Sequence, residues 1–405
     1  MNISFSFRQL WFGLAAIHAT WAAPVHPAAA ATVSPPIVSD YFANPGIGFQ
    51  AMHNLEAPVL PETVAYRRPQ YGWNAQNPAE GVYDWSTIDA DMAAAAALGK
   101  QFSFRIYTMR GESFGGHKVP DWVVAKGAVI QGGQPRYSNC IYQQYWADFV
   151  EQMRLRYDGN PAIAFLDISG YGNFNEWSWQ SQTEWDDDFA NPTTLDGMAR
   201  RRLADMFIGG SGTIDCTLAG GGTQSVSYSY PGFQATQLLM PYAGIQQSTR
   251  YVASRRSDVG FREDCLGSPD HTDGMLESVG DVIATIWPNA PVVFELCGIE
   301  DLSSALEVLE TTHGSVVHEN NGDNDLDELR NLLRYSGYRF ALAEATFPDV
   351  STWTGSIDVE TIWRNVGFAP AYPGMGQDFE LRFYLLEAGG AVAASWTLPS
   401  DPNDW

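Results

Sequence analysis

Between about residue 44 and residue 335 the chain alternates short apolar runs with longer stretches of helical periodicity. Eight candidate strands fall at 46–52, 64–71, 101–107, 163–169, 237–242, 259–263, 291–295 and 315–318. The clearest reads Ala162-Ile163-Ala164-Phe165-Leu166-Asp167-Ile168-Ser169-Gly170-Tyr171-Gly172. Near-continuous hydrophobicity of this kind marks a strand covered on both faces, whereas a half-exposed strand alternates. Helical segments follow most of the runs. Residues 87–98 carry an Ala-rich stretch, and 142–156 set Tyr145, Phe149 and Met153 at helical spacing. Residues 276–286 and 302–309 also read as helices, and the capping box Asp325-Leu326-Asp327-Glu328 opens another. Eight strands with intervening helices over about 250 residues or more predict an α/β fold, a (β/α)8 TIM barrel. An open doubly wound sheet would need a Gly-rich phosphate turn after an early strand. Gly220 to Gly222 follows no convincing strand and opens no helix.

The flanks differ from this pattern. From Gly337 onward, residues 340–345, 357–364, 380–386 and 391–398 alternate or carry β-branched and aromatic residues between Gly, Pro and Asp. They predict an antiparallel, sandwich-like β unit over 336–405. Four strands fall short of the roughly seven of a full sandwich, so the unit is expected either to dock on the barrel or, the favoured reading, to be an incomplete sandwich. At the other end, Arg8 precedes an apolar stretch from Leu10 to Ala23 and a small-residue zone from Pro24 to Ala31. That layout predicts an export signal over residues 1–30, a barrel over 31–335, and a secreted or periplasmic protein. No stretch reaches the roughly 18 apolar residues of a membrane span.

Net charge is −24, with 47 acidic residues against 23 basic ones. Such a surface repels phosphate backbones and anionic lipid, so neither nucleic acid nor membrane is expected as a partner. Cys140, Cys216, Cys265 and Cys297 show no CxxC spacing, which argues against zinc. An exported chain permits disulfides, and four cysteines allow three connectivities. Cys297 reads as a small buried residue near the site, two positions from Glu295. No motif calls for a cofactor. His313 and His318 are five apart, and neither acidic loop (185–188 or 323–325) has the ligand spacing of a calcium loop, so no metal is expected.

Two carboxylates stand out. Asn175-Glu176-Trp177 closes the long apolar run, and Pro291-Val292-Val293-Phe294 ends on Glu295. A carboxylate at the end of a buried strand is poor core material. Two on separate strands suit acid–base chemistry at one barrel face. Several neighbours could line the mouth. Trp73, Trp177, Trp179 and Tyr107 are candidates for stacking on apolar sugar faces, although each except Trp177 reads as core more readily. Asn175 could hold a hydroxyl or make an Asx turn, and Asp264 could bind a hydroxyl or pair with Arg262. His117 reads as a solvated loop residue.

On these residues the chain resembles the retaining glycoside hydrolases of clan A. The segment Trp73-Asn74-Ala75-Gln76-Asn77-Pro78-Ala79-Glu80-Gly81-Val82-Tyr83-Asp84-Trp85 is similar to their second-strand signature. More closely, the chain resembles a β-galactosidase-like group of bacterial barrels with a C-terminal β-sandwich. There Gly337-Tyr338-Arg339-Phe340 would open the sandwich and Asn365-Val366-Gly367-Phe368-Ala369-Pro370-Ala371-Tyr372 would mark it. The resemblance implies Glu176 as acid/base and Glu295 as nucleophile, acting on an oligo- or polysaccharide. It also implies a substrate-binding Arg, for which Arg67, Arg68 and Arg105 are candidates. In a retaining pair the carboxyls stand roughly 5 Å apart. At an effective dielectric of about 20 their charges repel by roughly 3 kcal/mol, enough to lift a glutamic acid from about 4.3 to between 6 and 7. The alternatives are a non-catalytic carbohydrate-binding barrel and an extracellular scaffold or adhesion protein.

Overall fold

Eight parallel strands close into a barrel in the computed structural model, which describes residues 2–6, 30–51, 65–111, 115–178, 193–297, 302–319, 326–348 and 358–397. They are β1 (Gly48–Ala51), β2 (Ala65–Gly72), β3 (Gln101–Tyr107), β4 (Ile163–Asp167), β5 (Leu238–Tyr242), β6 (Gly260–Glu263), β7 (Val292–Leu296) and β8 (Gly314–Glu319). Each pairs with the next in sequence, and β8 pairs with β1 through Val316↔Gly48 to His318↔Gln50. All eight coincide with the apolar runs of the sequence.

Helices at Ser86–Ala97, Cys140–Tyr157, Pro269–Ile286, Leu302–Thr312 and Leu326–Leu333 fall where periodicity predicts them. Two others, Leu195–Ile208 and Gln246–Arg255, escape the sequence reading. The first has no clean apolar face because it buries charge. Arg200 pairs with Asp196 at 2.8 Å, and Arg202 donates to Gln143 and to the Tyr230 hydroxyl. Gly220–Gly222 also differs from expectation. It forms the turn of an antiparallel hairpin, Gly210–Thr217 with Thr223–Tyr230.

Successive residues of a strand face opposite sides. In β3, β6 and β7 the outward residues Phe102, Phe104, Phe261, Val292 and Phe294 join the apolar layers beneath the helices. Inside the barrel the lower layer is apolar: Phe165, Leu239, Val293 and Val316 pack with Ala369, Tyr372 and Met375. Two residues further along the same strands the inward positions become Asp167, Glu295 and His318, and β3 and β6 add Arg105 and Arg262. The barrel therefore carries a charged layer at the C-terminal ends of its strands.

The chain divides into two compact units. The barrel unit comprises Tyr41–Tyr338 and Phe368–Asp378. The boundary thus lies a few residues beyond the expected 335, and part of the expected sandwich marker, Phe368 to Tyr372, belongs to the barrel unit. The other unit gathers Met1–Asp40, Arg339–Gly367 and Phe379–Trp405. It holds a four-stranded antiparallel sheet in the order Asn2–Ser6, Asp358–Asn365, Phe340–Pro348, Ala30–Val33, plus the hairpin Arg382–Leu386 with Val392–Thr397. The expected tail strands are present. The expected export signal falls largely on residues 7–29, outside the described ones, while Asn2–Ser6 is a sheet strand.

Disulfides join Cys140 to Cys216 and Cys265 to Cys297. Cys297 is thus cross-linked, as the sequence allows, and exposed, where the sequence suggests a small buried residue.

Candidate active site

Glu176 owes its place to a tight turn beyond β4. Gly172 has φ 84°, and a Cβ there would lie 2.7 Å from the Ser178 nitrogen. Phe174, Asn175 and Trp177 also take left-handed backbone conformations, at φ 50°, 56° and 58°. Such residues cost about 1–2 kcal/mol each and persist only where neighbours over-determine them. The neighbours are identifiable. Asn175 Oδ1 accepts from the Thr108 nitrogen and hydroxyl, both at 3.1 Å, and from the Gly170 nitrogen at 2.9 Å. Asn175 Nδ2 donates to the Gly172 and Met109 carbonyls. The Trp177 indole donates to the Ile168 carbonyl at 3.0 Å and stacks on Tyr171. Glu176 is held between these two anchors.

From there its carboxyl meets Arg105. Arg105 Nη1 donates to Glu176 Oε1 at 2.8 Å and to the Phe174 carbonyl at 2.9 Å. Arg105 Nε donates to Asp167 Oδ2 at 2.9 Å. The same Asp167 oxygen accepts from Arg262 Nη1 at 3.1 Å. Arg262 Nη2 donates to Glu295 Oε2 at 2.5 Å and to Asp264 Oδ1 at 3.0 Å, and lies 2.5 Å from His318 Nε2. His318 Nε2 is 3.2 Å from Glu295 Oε2. A continuous ion-pair chain, Glu176–Arg105–Asp167–Arg262–Glu295, therefore spans the barrel interior. Removing one partner from such a buried pair leaves an uncompensated charge, at a cost of about 3–5 kcal/mol.

The carboxyls sit in different fields. Burial, reinforced by Asp264 and Glu295, pushes Glu176 well above the usual carboxylate range, against the pull of Arg105. Burial and the adjacent Glu295 push Asp264 up to about 7. Glu295 touches Arg262 and His318. Glu263 faces away from the barrel interior by strand alternation, and burial also raises its carboxyl well above the ordinary range.

Asp264, Glu295 and His318 each place one potential metal-ligand atom within 4.8 Å of the others. The Arg262 Nη2 already lies within 3.0 Å of all three residues and supplies the positive charge there.

Several sequence expectations need correction. Trp73 lies fully buried among Tyr142, Trp146 and Phe149, so it builds core and no sugar platform. Trp177 is also fully buried with its indole N–H used. Asn175 is buried and engaged at both ends of its amide, which makes it a turn lock. Arg105 is fully buried and positions Glu176 from behind, out of substrate reach. Tyr107 is 4% exposed, edge-on to Phe174 with Arg110 over its ring. Of the expected binding set, Asp264 alone keeps an open carboxyl, 19% exposed like that of Glu176. Trp179 lies outside the described residues, and Arg67 and Arg68 lie on β2, their side chains likewise outside. The sequence reading missed Asp167 and His318 as site residues, and took Arg262 only as a possible rim partner of Asp264. Their signal was strand alternation: each lies two positions beyond an inward apolar residue or before an inward carboxylate.

No family model matches the chain, and no curated protein matches it in sequence. Among solved structures it is similar to the catalytic domain of a β-amylase from Paenibacillus polymyxa, at 11% identity over 70% of this chain and 95% of that one, with a TM-score of 0.40. It is also similar to a β-galactosidase from the psychrophilic Marinomonas ef1, at 11% identity over 67% of this chain and 54% of that one, TM-score 0.39. A third is endo-glycoceramidase II from Rhodococcus sp., at 11% identity over 78% of this chain and 96% of that one, TM-score 0.39. At these scores the barrel assignment rests on its own strand pairing.

Proposed function

We propose that the chain is a glycoside hydrolase in which Glu176 donates the proton to the leaving oxygen and Glu295 stabilises or attacks the anomeric carbon. One observation carries this reading. Two carboxyls belong to the strand-end layer of one barrel and have different neighbours, Glu176 lying buried among other acids and Glu295 paired with Arg262. Glycosidic cleavage needs one carboxylic acid and one carboxylate facing the same bond. Burial and neighbouring acids raise the Glu176 carboxyl well above the ordinary carboxylate range, which favours its protonated form. Glu295 Oε2 instead accepts from Arg262 Nη2 at 2.5 Å. In a retaining cycle, glycosylation of Glu295 removes a charge that raises Glu176. Glu176 then becomes a better base for the incoming water.

The substrate fits a neutral oligo- or polysaccharide, because a chain of net charge −24 disfavours an anionic one. Two disulfides suit an oxidising compartment, in keeping with export.

Activated aryl glycosides test the assignment. Glu295→Gln should lose at least about 1,000-fold in kcat while still binding sugar, and Glu295→Gly with azide should yield a glycosyl azide of inverted configuration. Wild-type turnover by Glu295→Gln would end the proposal.

A further inference from the structure

We infer that Cys265 and Cys297 are positioning residues, whose disulfide sets the spacing of Asp264 and Glu295 and makes the site sensitive to thiol reductants. The inference rests on the hydrolase reading for its consequence in catalysis, though not for its structural content. It starts from where the β6–β7 ladder ends. The last paired residues are Glu263 and Phe294. Asp264 lies beyond that point, so strand pairing no longer fixes its distance from Glu295. Arg262 Nη2 donates to both carboxyl groups, and two further links hold the chain segments that carry them. The Leu266 nitrogen donates to the Glu295 carbonyl at 2.8 Å. The disulfide joins Cys265, directly after Asp264, to Cys297, two residues after Glu295, with 4.7 Å between Cα atoms. Cys265 itself is at φ 58°, a left-handed conformation that a non-glycine residue adopts only under constraint. Opening the bridge frees Cys265 to leave that conformation and carries Asp264 with it.

The two bridges differ in access. Cys297 is exposed and Cys265 half-buried, whereas Cys140 is 9% exposed and Cys216 fully buried. A dithiol should therefore reach the site bridge first. In that exchange the reductant's two thiols become a cyclic disulfide and the two cysteines take up the electrons and protons as thiols. Asp264 is then released among Glu295, His318, Arg262, Arg105, Glu176 and Glu263, the titratable and charged groups that act on it.

The test uses the full chain, carboxyl-labelled with carbon-13 and titrated by NMR, oxidised and after dithiothreitol. Alkylation and peptide mass mapping should show Cys265 and Cys297 modified while Cys140 and Cys216 stay joined. The carboxyl titrating near 7, assigned through Asp264→Asn, should fall by more than about one pH unit on reduction. On an aryl glycoside kcat should fall about 10- to 100-fold, with KM within about twofold. The double variant Cys265→Ser/Cys297→Ser should reproduce both effects, and Cys140→Ser/Cys216→Ser should reproduce neither. An unmoved Asp264 titration with the bridge open overturns the inference, as does an equal displacement in both double variants. If the oxidised chain cleaves no glycoside, the hydrolase reading fails while the titration still decides this one.

Discussion

Asp167→Asn tests the ion-pair chain most directly. Asp167 is 1% exposed, and one of its oxygens serves both Arg105 and Arg262. Asparagine keeps the shape and removes one negative charge. The first consequence is thermodynamic: a broken buried pair costs about 3–5 kcal/mol. For a folded unit of about 300 residues that lowers Tm by roughly 5–8 °C. The second consequence is catalytic. Asp167 and Glu176 bind different nitrogens of the Arg105 guanidinium, at 2.9 and 2.8 Å. That separates the two carboxylates by roughly 7 Å, where a unit charge contributes about 2.4 kcal/mol at an effective dielectric of about 20. Removing it stabilises the Glu176 anion. The pH at which Glu176 loses its proton should therefore fall by up to about 1.7. Because the proposed reaction needs protonated Glu176, the basic limb of kcat/KM against pH should move to lower pH by that amount. The assay is an aryl-glycoside pH profile on protein shown to be folded by circular dichroism. A basic limb that stays in place in folded Asp167→Asn would refute a contribution of the Asp167 charge to the raised Glu176 carboxyl.

Two further substitutions probe other parts of the site. Asp264 is raised to about 7 in the folded chain, above the ordinary carboxylate value. Its contribution to stability is therefore complete at acid pH and is lost as pH rises towards 7. Asp264→Asn should leave stability near pH 4 almost unchanged and increase it at pH 8 by up to about 4 kcal/mol, read by urea denaturation at the two values. Equal effects at both would contradict the raised carboxyl. Trp177→Ala should cost about 3–5 kcal/mol as a core truncation. Its main signature should be a lower midpoint in the melt. A selective rise in KM with unchanged stability would return Trp177 to the role of sugar platform.

Much of the barrel was legible because a two-sided buried strand writes itself plainly. The run from Ile163 to Leu166 has no polar residue, and each of the eight runs is bounded by turn or helix signals. Leu195–Ile208 was not legible for the opposite reason. Its buried face carries Asp196, Arg200, Arg202 and Asp205, which pair with each other or with neighbours that only the fold brings near. The stacking candidates failed on a similar ambiguity. A tryptophan beside a strand-end glutamate can face the mouth or turn under the loop, and the left-handed backbone at Trp177 turns it under.

The charged layer shows how one sequence pattern can carry both core and chemistry. Phe165 and Asp167, Val293 and Glu295, Val316 and His318 are three pairs two residues apart, each on one inward face. The first of each pair fills the barrel's lower layer, and the second enters the charged one. A barrel interior this narrow offers little water, so the upper groups must satisfy one another. Asp167 does this for both arginines at once, and that leaves each arginine a further nitrogen for a carboxyl nearer the mouth. Asp167 thus anchors both arginines that hold the glutamates while touching neither glutamate. For that reason the site's behaviour should respond more to Asp167 than to any buried aromatic residue that the sequence alone brings to attention.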